Sequence, residues 1–218
     1  AESRFRLARC GVVGSFAARE RLIAAQLLSE VLCGNNHSVL CEEILQQGLA
    51  EDVNCHVTDG VLQPTVRIEV KNFKEADRGR IEQILTNTLQ TICAEGVDRE
   101  ELTAAMTNME FSMRERDYGR YPLGIILSFA VMESWLYGGE PDAFLQVGDL
   151  FENLKKKMEE CCFEQLLRGL FLENPHSCTL LMVPSKTEGE ERRQKEAERL
   201  AAEQEKMGAE ELAAIRDI

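Results

Sequence analysis

Read for the spacing of its apolar positions, the chain opens on a strand. Phe5 and Leu7 alternate with Arg4 and Arg6 and the run continues through CGVVGSF, which predicts a strand over residues 4–14 with its later half more buried. Residues Ala17–Leu32 carry Leu22, Ile23, Ala25, Leu27 and Val31 at helical spacing, and Gly34-Asn35-Asn36 reads as the turn that ends this helix. A second helix, Ser38–Gln47, stops at Gly48. Val53–Thr58 and Gln63–Phe73, separated by Asp59-Gly60, predict two paired strands. Val66, Ile68 and Val70 point one way and Arg67, Glu69 and Lys71 the other, so this sheet has one wet face.

Helices dominate the remainder of the chain. Residues 75–95 place Ile81, Ile84, Leu85, Leu89 and Ile92 on one face, and Asp98, with Glu101 three residues on, caps a helix whose stripe is Leu102, Met106, Met109 and Met113. The corner RDYGRYP, with Gly119 ending one helix and Pro122 starting the next, leads to Leu123–Tyr137. That segment is apolar almost all round, which predicts a helix deep in the core; Gly138 and Gly139 stop it. Shorter helices at 142–160 and 162–172 precede Thr179–Val183, an unbroken apolar run suited to a central strand. Strands gathered in one layer with helices on one face define an α+β fold, its sheet antiparallel or mixed. The tail is charged, and Glu188–Arg192 and Glu191–Lys195 at i, i+4 predict a helix over 188–215. Its apolar residues Leu200, Leu212 and Ile215 are too sparse to hold it by burial, so it needs a partner.

Composition narrows the picture. With 218 residues, 44% of them hydrophobic, the chain supports one well-built core, expected over residues 1–186, and an appendage over 187–218. A net charge of −13 argues against a nucleic acid or an anionic membrane as partner. No basic-then-apolar leader opens the chain and no run approaches the roughly 20 apolar residues of a membrane span, so a soluble, cytoplasmic protein is expected. The eight cysteines sit mostly within apolar runs without the spacing of a disulfide framework, as free thiols in a reducing compartment do.

The string EFSMRERDYGRYPLGI, followed by ESWLYGGEPDAFL, resembles the second domain of the presequence-peptidase branch of the insulinase-like zinc metallopeptidases. LLSEVLCGNNHSVLCEEILQQGL, GVDREEL and FLENPHSCTLLMVPSKT resemble the same domain in the same order, so the resemblance covers residues 3–186. It implies an insulinase/processing-peptidase-like half-domain, followed by the start of a helical linker hairpin. It also implies a parent enzyme that holds zinc elsewhere and degrades short unstructured peptides in a closed chamber, with this domain as part of the wall. Other domains of that parent would be its partners, peptides would reach it through the parent, and the fragment alone would self-associate. A starting strand with nothing upstream and a tail ending mid-helix fit an excised piece.

No chemistry of its own is expected. The family's zinc motif H-x-x-E-H needs two histidines four apart on a helix, but His37 is followed by SVLC, His56 by TDGV and His176 by SCTL. Cys161-Cys162 would point in different directions on a helix, a poor start for a tetrahedral site. Glu42, Glu43, Glu110 and Glu115 fit the polar faces of helices, and Arg114, Glu115 and Arg116 fit ion pairing or capping at the corner. The resemblance adds one candidate site. Its members anchor the substrate's end with the glycine-rich end of the first helix and the start of the second strand, here given as Gly34, Asn35 and Asn36 with Thr58, Asp59 and Gly60. A plain helix cap and a hairpin turn account for the same six residues. The alternative to the peptidase reading is a structural or partner-binding protein of the same fold.

Overall fold

The computed structural model describes residues 4–115 and 119–208, with Glu211 and Ile215. Arg116, Tyr118 and Leu212, to which the sequence pattern gave roles in the corner and the tail, lie outside the described residues. By packing, the chain falls into two units, Ala1–Met182 and Val183–Ile218.

Four antiparallel strands form the sheet of the first unit: β1 (Phe5–Val12), β2 (Asp52–Thr58), β3 (Thr65–Phe73) and β4 (Ser177–Met182), in the order β2-β3-β1-β4. Alternation sets its two faces. Leu7 pairs with Val70, and Val70 in turn with Val53, so these three point together into a core they share with the helices. The other face carries Arg67, Glu69 and Lys71, with Lys71 bridging to Asp52 at 2.8 Å.

The register of β1 against β3 slips between Phe5 and Arg6, opposite Asn72, whose φ of 58° is left-handed. One extra residue there turns Phe73 back toward the core, where its ring lies 6.0 Å from that of Phe5. Asparagine tolerates this backbone and a β-branched residue does not. Asn72→Val is expected to cost about 1–2 kcal/mol and Asn72→Gly next to nothing, as read by urea denaturation. Equal losses would show that the bulge does not depend on its backbone conformation.

Helices α1 (Arg19–Cys33), α2 (Val39–Leu45), α3 (Arg78–Glu95), α4 (Arg99–Glu115), α6 (Leu150–Glu159) and α7 (Cys162–Leu167) bury Leu27, Ile44, Leu89, Leu102, Phe151 and Leu167 against this core. α4 begins where Asp98 was expected to cap it: its carboxylate accepts the N–H groups of Glu100 and Glu101 at 2.9 and 3.0 Å. Glu110 on the polar face of α4 is held by Arg114 and Lys155, both at 2.8 Å.

Several expectations for this unit need correction. α5 (Leu123–Trp135) is not deep in the core: its single buried residue is Ser134, while Phe129 and Trp135 are 59% and 64% exposed. An apolar surface all round shows that a helix needs cover, not that its own chain supplies the cover. β4 is an edge strand and not a central one, because it pairs with β1 alone; its Leu180 and Met182 lie on the open face. The helix expected over 142–160 starts only at Leu150. Residues 143–146 are instead looped around Arg19, which donates to the carbonyls of Ala143 at 2.8 Å, Phe144 at 2.9 Å and Gln146 and lies over the Phe144 ring. Removing it by Arg19→Met is expected to cost about 1.5–3 kcal/mol, with faster amide exchange over 140–147; unchanged exchange there would show the loop is held by something else.

In the second unit, α8 (Glu188–Lys206) is capped by the Ser185 hydroxyl, which accepts the Glu188 N–H at 3.0 Å. Glu188–Arg192 pairs at 2.7 Å as expected, whereas among the described residues Glu191 and Lys195 do not pair with each other. Pairs three apart, Glu190–Arg193 and Glu196–Arg199, form instead. A single helix over 188–215 is also corrected, since Met207 is extended (φ −84°, ψ 137°) and ends α8.

Candidate functional site

The six candidate residues fall into two groups along α1. Gly34 continues its backbone, donating to the Glu30 carbonyl at 2.6 Å, and a Cβ there would sit 2.4 Å from that same oxygen. Only glycine fits. Asn35 then closes the turn into α2: its N–H donates to the buried Ser38 hydroxyl at 3.1 Å and its side chain accepts the His37 N–H at 2.8 Å. Asn36 is exposed beside it.

Thr58 ends β2 opposite Thr65, and Asp59 accepts from Gln26 at 2.8 Å. Gly60 (φ 65°) offers its carbonyl to the Tyr137 hydroxyl at 3.1 Å. Since Gln26 precedes Gly34 by eight residues, about 12 Å of helix separates the groups. One group continues the C-terminal end of α1, and the other meets the helix at Gln26 from the end of β2.

Around Asp59 and Gly60 the structure gathers residues that sequence reasoning did not single out for this place. Tyr137 packs on Phe16 with ring centres 5.5 Å apart. Gly139 presses so close that a Cβ would meet the Ser134 hydroxyl at 2.3 Å and the Phe16 ring at 3.0 Å. The W-L-Y-G-G string is thus a fastening: its tyrosine ties the end of α5 to the β2–β3 turn and its second glycine lets the chain pass. That motif was the available signal for the contact.

Glu133 lies in the same neighbourhood, where burial and the negative charge of Asp59 push its carboxyl above the ordinary 4.5 against the pull of Arg19. A carboxyl raised in the folded state contributes stability that is present below its unfolded pKa and lost as pH rises through the folded one. Glu133→Gln is therefore expected to raise the thermal midpoint at pH 7, with the difference vanishing below about pH 4.5. A midpoint gain that is the same at pH 4 and pH 7 would separate the effect from this charge.

The histidines and cysteines, the donors a zinc centre would need, are scattered over the fold. His56 sits on the sheet, its Nε2 2.5 Å from the Arg67 guanidinium, and burial with that cation holds its pKa down. His37 is in the turn before α2 and His176 just ahead of β4. The neighbouring Cys41 thiol and burial push the Cys33 thiol far up, which keeps it protonated and unfit as a ligand. Among the described residues no three of His, Cys, Asp and Glu are placed to hold a metal ion. These residues do not fit a zinc ion.

Residues 9–109 match the sequence profile described as the peptidase M16 inactive domain. Over those residues the chain is similar to the inactive domain of that family. Protein HypA of Clostridium perfringens is 28% identical over 175 residues, covering 80% of this chain and 18% of the relative. Presequence protease 1, chloroplastic/mitochondrial, of Arabidopsis thaliana is 30% identical over 167 residues, covering 74% and 16%. The chain thus spans less than a fifth of the length of these curated relatives. In fold it is similar to an inactive peptidase domain of a candidate zinc protease from Bordetella parapertussis, with a TM-score of 0.68, 16% identity and coverage of 85% of this chain and 93% of that one. The peptidase M16 inactive domain from Pseudomonas fluorescens matches at a TM-score of 0.56 and 15% identity, over 84% and 42% of the two chains. No helix among the described residues is long and apolar enough to cross a membrane.

Proposed function

We propose that this chain is a non-catalytic wall domain of a zinc metallopeptidase that degrades short unstructured peptides, with the metal and the water-activating residue supplied by another domain of the same protein. The observation that carries the reading is α5: in a domain similar to the inactive M16 domain, the most apolar helix is fastened at its C-terminal end and left uncovered along its length. Apolar surface of that extent is the mark of a contact face. The neighbouring domains of the parent are the partner it fits, and in their absence the isolated chain self-associates through it. A reducing, cytoplasmic setting belongs to the reading and is supported by the eight free cysteines.

Substrate anchoring is assigned to the same six residues. Thr58 ends an edge strand, so its outward backbone groups suit addition of an extended peptide, and Asp59 suits a peptide's terminal ammonium group. Gly34, Asn35 and Asn36, at the far end of α1, would meet the peptide further along.

The tail is read as residues 187–218 beginning a linker. Deleting 188–218 is expected to leave the thermal midpoint of the remainder within a few degrees, by calorimetry. A drop of about 10 °C, which for a domain of this size corresponds to several kcal/mol, would make the tail an integral element.

A further inference from the structure

One row across the open face of the sheet runs His56, Arg67, Cys10, Cys178, each residue directly opposite the next. Cys178 is exposed on the edge strand, and Cys10, half-buried, is its direct partner across the ladder. The backbone fixes their spacing. Val12 N–H donates to the His176 carbonyl at 3.0 Å, and hydrogen-bonded pairs recur every second residue of an antiparallel ladder, so Cys10 and Cys178 form such a pair. Their Cα atoms are then about 5.5 Å apart, inside the range of about 4.4–6.8 Å that a disulfide spans. Both open on a cavity of about 430 Å³ that Gln63, Thr65 and His176 help to line, which gives a small molecule access to sulfur. Cys33 and Cys41 also touch, but on the helix side of the sheet, where Cys41 is buried against the Val53 carbonyl.

We propose that Cys10 and Cys178 are a dithiol site that exchanges with small-molecule disulfides of the glutathione class and closes to a cross-strand disulfide. Cys178, the exposed thiol, loses its proton to solvent and attacks one sulfur of the small disulfide. A Cys178 mixed disulfide forms and one small thiolate leaves. Cys10, deprotonated in turn, attacks the Cys178 sulfur, the bond to the small thiol breaks, and the Cys10–Cys178 bond forms as the second thiolate departs. Two electrons pass from the protein dithiol to the small disulfide.

Charge and strain make the step reversible. Burial and the neighbouring Cys178 hold the Cys10 thiol up, while Arg67, opposite it on β3, favours the thiolate. In a hydrogen-bonded pair the Cβ atoms stand toward the wide end of about 4.5–5.5 Å, whereas a disulfide brings them to about 3.5–4.5 Å. Strand β4 can move in because, among the described residues, β1 is its only neighbour in the sheet. The strain of closure leaves the bond easily reduced. This site stands apart from the peptidase reading and does not depend on it.

The test incubates the full chain with oxidised glutathione, quenches with iodoacetamide and maps unreduced tryptic peptides by mass spectrometry. The expected result is a Cys10–Cys178 linked peptide that dithiothreitol removes. In Cys10→Ser the second step is blocked, and Cys178 is expected to keep roughly ten times more glutathione than in the wild type. If Cys10→Ser fails to fold, the midpoint of the oxidised wild type decides: it should exceed that of Cys178→Ser treated alike by about 5 °C, the shift expected when a long loop is closed. Equal glutathione on Cys178 with and without Cys10, a link from Cys10 to any other cysteine, or no midpoint difference would overturn the proposal.

Discussion

A Phe151→Ala substitution is expected to destabilise the chain by about 3–5 kcal/mol, while Trp135→Ala, which removes a larger ring, is expected to cost less than about 0.5 kcal/mol. Phe151 is fully enclosed among the core residues of α6 and its neighbours, so its loss leaves a cavity as well as a lost transfer energy. Trp135 is 64% exposed at the end of α5 and has little burial to lose. Sequence alone ranks them the other way, since Trp135 sits in the most apolar helix of the chain. Urea denaturation of both variants checks the order, and a Trp135 loss as large as that of Phe151 would mean that α5 is buried in the isolated chain after all.

The second large effect concerns association. Phe129→Glu with Trp135→Glu places two charges on the uncovered face of α5, where a contact between apolar surfaces would have to desolvate them. Sedimentation at high concentration is expected to show the wild-type chain self-associating and the double variant monomeric, with the apparent dissociation constant weakened at least ~100-fold, equivalent to about 2.7 kcal/mol. The midpoint of the monomer should change little. If the double variant associates as strongly as the wild type, α5 is not the contact face.

How far the residues themselves reveal this molecule depends on whether a pattern answers to local geometry or to a neighbour. Alternation placed Val66, Ile68 and Val70 on the buried side of β3, and the Asp98 cap placed the start of α4, because each is decided by backbone periodicity and a contact two or three residues away. The all-apolar α5 and the apolar β4 were misplaced for a shared reason: hydrophobicity reports that a surface seeks cover, and for Phe129, Trp135, Leu180 and Met182 this chain does not provide it. The bulge at Asn72 and the loop around Arg19 left no periodic signal, since one turns on a single φ and the other on a side chain meeting carbonyls more than 120 residues away. The two halves of the candidate anchor could be named from motif positions, but only the structure shows them spread along α1, with Tyr137 and Glu133 attending one half. The Cys10–Cys178 pair depends on strand register, which is not written in either strand by itself.

The most direct measurement is an assay of chelator-sensitive cleavage of an unfolded peptide, made on the purified 218-residue chain after dialysis against zinc and analysed for bound metal. A wall domain that borrows its metal from elsewhere should show no cleavage above background and no stoichiometric zinc, with cleavage appearing when the remaining domains of the parent are supplied and falling away again for the Phe129→Glu, Trp135→Glu variant. One zinc per chain with cleavage that a chelator abolishes would contradict the account.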